Sequence, residues 1–382
     1  AMQYDFDVII IGAGSGGLTA AAGLSRAHKK VLLIERTHMG GECTNTGCIP
    51  SKTLLHLART YSEAKNLAGH TDQLRAFHEQ VLGTIRKKVI EIREGESPEI
   101  LEKKFGLTVK RGEASFVDRH TVRIQMKMDH EDITGKWIII ATGSSPKILE
   151  IPGLDPGRLL TNETVFDLEK IPRKLLVLGG GPIGCEMAQA FSNLDSHVTL
   201  VTDQERLLPD DEPELSQDVQ KTFEAKGIVV TLNSHLSRCE NHFALVGSPG
   251  KALQKIEFDA LLMTVGRVPN LKPLQLAAAG IHASDLGIKV DRHYRTNQRH
   301  IFAIGDVAQG PKFTHSADDQ SRHVVKKILF GFLEPNESYK PLPWVTFLDQ
   351  ELAHVGMIYP EASDHFGVRK LIRIEIPFST LD

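Results

Sequence analysis

Asp7-Val8-Ile9-Ile10-Ile11-Gly12-Ala13-Gly14-Ser15-Gly16-Gly17 is the stretch that decides the fold. The apolar run Val8 to Ile11 reads as a buried strand, and it passes through a glycine turn into a helix rich in alanine and leucine. In such a unit Gly12 makes the tight turn, Gly14 lets the backbone approach a pyrophosphate, and Gly17 lets helix pack closely on strand. Ser15 and Gly16 open the helix, whose N-terminus receives the negative charge. The next strand, Val31 to Ile34, ends at Glu35 and Arg36, and Glu35 falls eighteen residues past Gly17. That is close to the roughly 20-residue interval at which a carboxylate hydrogen-bonds an adenosine ribose. A glycine motif alone is weak evidence, whereas strand, helix and acid together are strong.

The pattern restarts at Leu175-Leu176-Val177-Leu178, followed by Gly179-Gly180-Gly181-Pro182-Ile183-Gly184, a helix, and the strand His197 to Val201. A second dinucleotide site is the direct consequence. Eighteen residues past Gly184 lies Thr202, with Asp203 beside it. Neither favours a 2′-phosphate, so NADH is expected over NADPH, with Arg206 nearby as the opposing group. Gly266-Arg267-Val268-Pro269-Asn270 closes this unit. Two more segments point back to the first site. The strand Lys136 to Ile140 runs into Ala141-Thr142-Gly143, which brings backbone toward the same cofactor or simply ends a strand before a turn. The run Ile301 to Ile304 ends on Gly305-Asp306, where the carboxylate could hold a ribityl hydroxyl, and Phe313-Thr314-His315-Ser316-Ala317 then opens a helix whose amides could face the pyrimidine edge of a flavin.

Residues 41 to 52, Gly-Glu-Cys-Thr-Asn-Thr-Gly-Cys-Ile-Pro-Ser-Lys, carry the chemistry. Pro50 and Ser51 suit a first helical turn, and Leu54, Leu55, Leu57 and Ala58 follow at helical spacing. Cys48 is therefore expected at a helix N-terminus, where partial positive charge favours a thiolate. One distorted turn can bring Cys43 and Cys48 within disulfide range, and Gly41 and Gly47 leave room for a flat cofactor. The pair reads as a redox disulfide facing a ring. Two other readings stay open. A structural disulfide closing so small a loop would stabilise little, and four cysteines without a signal peptide do not suggest secretion. A zinc site would need a second ligand pair, but Cys185 and Cys239 lie far apart with no histidine at ligand spacing, so no metal is expected and both are read as core fillers.

With 382 residues, 41% hydrophobic and 24% charged, the chain is long enough for more than one domain of ordinary globular composition. A net charge of −3 and no basic run interleaved with aromatics argue against nucleic acid as a partner. No apolar run approaches membrane-spanning length, and a cytoplasmic location is expected. The polar helical segment from roughly 73 to 95 reads as scaffold with a solvated face. Further strands are expected at Leu107 to Lys110 and Thr121 to Met126, and Pro146, Pro152 and Pro156 mark a linker.

These motifs together resemble the class I pyridine nucleotide-disulfide oxidoreductases, the flavoprotein family of dihydrolipoamide dehydrogenase, glutathione reductase and mercuric reductase. Five motifs occur in the family order: Gly12 to Gly17, Gly41 to Lys52, Ala141 to Gly143, Gly179 to Glu186, and Thr296 to Asp306. The cysteine segment and the run Met187-Ala188-Gln189-Ala190-Phe191 are most similar to mercuric reductase-like members. The resemblance implies an α/β fold with two Rossmann-like dinucleotide-binding domains, for FAD and NAD(P), and an incomplete C-terminal α+β interface domain. The expected boundaries are 1–150 and 271–340 for the FAD domain, 151–270 for the NAD(P) domain, and 341–382 for the start of the interface domain. It further implies that Cys48 is the thiol next to the flavin, Cys43 the one that exchanges with a disulfide or thiol-bound metal substrate, and Lys52 a group near flavin N5 paired with Glu186.

Three departures from the family pattern matter. Glu42 stands where many members carry threonine, and Pro182 where glutathione reductase has a gating tyrosine. The family's C-terminal His-Glu pair, which enters the partner subunit's site, has no counterpart, and the last expected strand, Leu371 to Phe378, has too few partners for a sheet. The chain is thus expected to be truncated, its full-length form a homodimer. Two functions of different class follow: a flavin-dependent disulfide or metal reductase, with dihydrolipoamide dehydrogenase as an alternative, or a flavin-binding fragment without disulfide turnover.

Overall fold

The computed structural model describes residues 3–331 and 341–377. The strand Phe6–Ile11 lies inside a parallel sheet ordered Thr108–Arg111, Val31–Glu35, Phe6–Ile11, His130–Ile140, with Ile301–Ala303 on the far side of His130–Ile140. The first half of His130–Ile140 pairs antiparallel with Thr121–Gln125, which in turn pairs with Glu113–Phe116. Alternate residues of the parallel strands enter different cores. Ile9, Ile11, Leu32, Ile34, Ile138 and Ile140 pack on one face, and Val8, Ile10, Val31, Leu33 and Ile139 on the other. Burial on both faces explains why these strands read as unbroken apolar runs. The register sets Ile34, Ile11, Ile140 and Ala303 side by side. Glu35, Gly12, Ala141 and Gly305 therefore emerge at one carboxyl edge, where ligands bind in such sheets.

A second parallel sheet runs in the order Val229–Thr231, His197–Val201, Lys174–Leu178, Ala260–Met263, Leu159–Leu160, beside an antiparallel sheet of His235–Glu240, Phe243–Gly247 and Gln254–Glu257. The two Rossmann-like units expected from the glycine motifs are both present. The chain leaves the first through Ser144–Pro146 and returns through Arg267–Pro269, and these segments pair antiparallel as a ribbon. The linker expected from Pro146 onward thus begins as a paired strand.

The helix Cys48–Ala68 lies between the units. Its Leu54, Ala58 and Tyr61 share a core with Val81, Leu82 and Ile85 of the helix Asp72–Gly95 and with Phe191 and Leu194 at the end of the helix Pro182–Asn193. Full burial of a side chain such as Leu54 is worth about 1.5–3 kcal/mol. Beyond residue 341 the chain forms an antiparallel hairpin, Pro343–Thr346 with Leu352–Val355, and a helix, Tyr359–Phe366. Among the described residues no strand forms at 371–377, so the last expected strand is not seen there, and Phe378 lies outside them. The boundary expected at 340/341 adjoins the undescribed stretch.

Candidate functional site

The carboxyl edge of the first sheet opens into a cleft of about 1160 Å³, larger than the roughly 300–1,000 Å³ of common small-molecule sites. It extends past Gly12, Gly14, Ser15 and Gly16, with Glu35, Arg36 and Gly112 to Ala114 also in its wall. Gly41, Glu42, Cys43, Cys48, Lys52, Ala141, Thr142, Gly143, Ile183, Glu186, Arg267, Gly305, Asp306, Phe313, Thr314, His315 and Ala317 line it as well. Residues scattered from position 12 to 317 thus share one wall. Gly17 supports the turn from behind: a Cβ there would lie 1.9 Å from the carbonyl oxygen of Gly12. Gly14 and Gly41 face each other, and a Cβ on Gly41 would sit 2.5 Å from the Gly14 Cα.

Glu35 is buried, accepting hydrogen bonds from the Ala13 amide at 2.8 Å, the Thr37 amide at 2.8 Å and the Thr37 hydroxyl at 3.1 Å. An ionised carboxylate offers about four acceptor sites, which leaves one for a hydroxyl in the cleft. Deeper in, Ser144 donates to Asp306 at 2.6 Å, and Arg267 Nη1 is buried beside the same space with no hydrogen-bond partner among the described residues. The helix Ser15–Arg26 has no side-chain cap, so its first amides are open to an anion. A dinucleotide with an adenosine ribose, a pyrophosphate and a second hydroxylated arm fits this donor and acceptor set.

Cys43 and Cys48 are thiols in contact. Cys48 begins the helix Cys48–Ala68, and its Sγ lies 3.6 Å from the Thr314 hydroxyl, where the helix Thr314–Phe330 begins. The hydrogen bond from Cys43, reinforced by Thr314, Lys52 and the Cys48 amide, pulls the Cys48 thiol down to about 5 against the opposing effect of burial. The same hydrogen bond, with burial, pushes Cys43 well above the ordinary thiol range. One sulfur is thus prepared to hold charge and the other a proton.

Lys52 and Glu186, expected as a pair, form no salt bridge among the described residues, although Lys52 acts on the Glu186 carboxyl. Among the described residues, Lys52 Nζ lies 4.1 Å from the ring centroid of Phe347, and Glu186 accepts from the Phe347 amide at 2.9 Å. Phe347 follows the hairpin strand Pro343–Thr346 and contacts both side chains. Burial raises the Glu186 carboxyl, opposed by the Phe347 amide and Lys52. Glu42 is clamped: Asn162 Nδ2 donates to it at 2.9 Å and Arg267 Nη2 at 2.5 Å. Burial lifts its carboxyl to about 7 despite the guanidinium. Two supports escaped the sequence. Arg93 Nε donates to Asn45 Oδ1 at 2.8 Å and the Thr44 hydroxyl to Glu96 at 3.0 Å, so the polar helix Asp72–Gly95 and its C-cap grip the cysteine segment.

The second glycine motif stands apart. Gly179, Gly181, Gly184, Thr202, Asp203 and Gly266 do not line the cleft, although Ile183, Glu186 and Met187 of the following helix do. Its turn repeats the first one: a Cβ on Gly184 would meet the Gly179 oxygen at 2.0 Å, while Gly181 has nothing within 4 Å. Thr202 is buried, and Asp203 is exposed. Cys185 and Cys239 are buried fillers, as expected.

Two Rossmann-like units joined across a dithiol define a class of nucleotide-dependent redox protein. The chain belongs to the pyridine nucleotide-disulphide oxidoreductase family, which it matches over residues 6–321. It is 33% identical over 370 residues to a mercuric reductase of Bacillus cereus, covering 95% of this chain and 58% of that protein. It is 35% identical over 367 residues to a dihydrolipoyl dehydrogenase of Staphylococcus aureus, covering 93% and 76%. The HOCl-induced flavoprotein disulfide reductase RclA of Escherichia coli, solved as a Cu(II) complex, superposes with a TM-score of 0.84 at 29% identity, covering 96% of this chain and 80% of that one. The chain spans 58% and 66% of the length of two mercuric reductases that it matches. Among the described residues no helix is long and apolar enough to cross a membrane.

Proposed function

We propose that the chain binds FAD along the cleft and a reduced nicotinamide nucleotide at the second glycine turn, and uses both to open a Cys43–Cys48 disulfide. The resulting dithiol reduces a small disulfide or a thiol-bound metal ion. FAD, when bound, supplies the step between two-electron hydride transfer and disulfide reduction. The chain's own residues do the rest. Two electrons open the S–S bond; Cys48 keeps its share as a thiolate stabilised by two helix ends, Thr314 and Lys52, and Cys43 takes up the proton. Cys43 is then the thiol that attacks substrate, with Cys48 closing the disulfide behind it.

The observation that carries this function is the Cys48 sulfur set between two helix N-termini on the wall of a dinucleotide-sized cleft. The choice between disulfide and metal stays with the relatives, whose names include both mercuric reductase and dihydrolipoyl dehydrogenase. NADH is favoured over NADPH because Arg206 is occupied, donating to the Pro209 carbonyl at 2.5 Å and lying 3.7 Å from Glu205. Anaerobic reduction tests both points. The purified protein, loaded with FAD, should be reduced faster by NADH than by NADPH and develop long-wavelength absorbance, from the Cys48 thiolate against the ring, that Cys48→Ser abolishes. A protein that takes up no FAD, or a band that survives that substitution, refutes the proposal.

A further inference from the structure

The cleft contains a polar chain that disulfide chemistry does not need. Asn162 donates to Glu42, Arg267 donates to Glu42 and also to the Ser144 carbonyl at 2.9 Å and hydroxyl at 2.7 Å, and Ser144 donates to Asp306. Each member lies on a different segment. Glu42 immediately precedes Cys43 in the short helix Gly41–Asn45. Ser144 and Arg267 belong to the two paired strands that connect the nucleotide units. Asn162 follows the edge strand Leu159–Leu160 of the second sheet. Asp306 lies in the turn after Ile301–Ala303 of the first.

Glu42 is the junction. It meets the second unit through Asn162 and the connecting ribbon through Arg267, and Asn162 and Glu42 are 120 residues apart in sequence. The Arg267 side chain is only 14% exposed and sits between two carboxylates, 2.5 Å from Glu42 and 3.5 Å from Asp306. A guanidinium so enclosed is held in one orientation by its fork of donors. A short ribbon of three residues a strand would otherwise be the natural place for the two units to swing.

We propose that Glu42 is a positioning residue that locks the second nucleotide unit and its connecting ribbon to the dithiol segment. The lock sets where a nicotinamide held by the second unit meets the cleft. This rests on the function proposed above and adds a separable claim to it. The glycines of the second turn do not line the cleft that holds the lock residues, so nucleotide affinity is assigned to the turn and the productive approach to the lock. A misplacement of about 1 Å at a reacting centre costs up to about 100-fold in rate.

The test uses FAD-loaded protein and stopped-flow reduction by NADH. Asn162→Ala and Glu42→Thr should each lower the limiting rate of flavin reduction about tenfold or more, with the NADH concentration at half-maximal rate unchanged. The double variant should be no slower than the slower single variant, because both remove the same Asn162–Glu42 contact. Dithionite should still reduce each variant and produce the Cys48-dependent band, which separates a displaced second unit from a damaged dithiol site. If wild-type protein itself is not reduced by NADH, the proposed function fails. If wild type is reduced and the variants match its rate, or the losses multiply in the double variant, the lock is wrong. A variant that no longer binds FAD also refutes it, since Glu42 then supports the cleft itself rather than the approach of the second unit.

Discussion

The Cys48 sulfur and the Thr314 hydroxyl lie 3.6 Å apart although 266 residues separate them in sequence. Each begins a helix, so one sulfur receives the positive ends of both.

The pH dependence of thiol reactivity follows from that placement. With Cys48 pulled down to about 5, first by Cys43 and then by Thr314 and Lys52, its alkylation in the reduced protein should rise through an apparent midpoint near 5. Cys43, pushed upward, should react only well above the ordinary thiol range. The midpoints belong to the pair. Thr314→Val should move the lower one up, as mapped by iodoacetamide labelling and peptide mass analysis; an unchanged profile removes Thr314 from the account.

Two glycines of the second turn should respond in opposite ways. Alanine at Gly184 would place its Cβ 2.0 Å from the Gly179 oxygen, a backbone atom with little freedom to yield. Gly184→Ala should therefore destabilise the protein by about 1–3 kcal/mol, as overpacking does. Gly181 has open space, so Gly181→Val should melt like wild type yet lose reduction by NADH while retaining FAD. Equal melting of the two variants, or loss of FAD from Gly181→Val, would contradict this division of labour.

Glycine spacing, buried apolar strands and the cysteine helix were legible because each depends on neighbours within about 20 residues. Glu35 was legible for the same reason, lying at the end of its own strand. The grip of Arg93 and Glu96 on the cysteine segment was not, because side-chain contacts across 48 and 52 residues leave no periodic trace. A faint signal did exist: Arg93 continues the buried stripe of Leu82, Ile85 and Val89 one turn further, where a charge calls for a partner. The contacts of Phe347 with Lys52 and Glu186 depend on a hairpin whose docking is tertiary. The strand expected from Leu371 had the alternation, but among the described residues no strand forms there.

That hairpin is anchored by Asp349. Its carboxylate pairs with Lys226, accepts from Asn193 at 3.2 Å and lies 3.4 Å from Arg59 Nε. Burial raises its pKa, but Lys226, Asn193 and Arg59 together outweigh this and lower it. The unfolded carboxyl titrates near 3.9. A depressed native value means the stabilisation is complete above that pH and is lost as pH falls through the lower native value. Asp349→Asn should cost about 1.5–3 kcal/mol between pH 5 and 7, with the gap to wild type closing below about pH 4. Urea melts at several pH values measure it, and a gap that persists unchanged into acid would show that packing, not charge, holds the hairpin.

The two cysteines should separate by substitution. Cys43→Ser cannot form the disulfide, so Cys48 stays free; the serine hydroxyl can replace the lost hydrogen bond, and Thr314, Lys52 and the Cys48 amide still favour the thiolate. FAD-loaded Cys43→Ser should therefore show long-wavelength absorbance before any reductant is added. Cys48→Ser should show none, oxidised or reduced, because the sulfur held at the two helix ends beside Thr314 has gone. Lys52→Met in the Cys43→Ser background should shift the appearance of the band to higher pH, since a cation that lowers the Cys48 thiol has gone. Neither cysteine variant should turn over a disulfide such as lipoamide. If Cys48→Ser carries the band and Cys43→Ser does not, the sulfur facing the ring is Cys43, and the roles of the charge-holding and exchanging thiols are reversed.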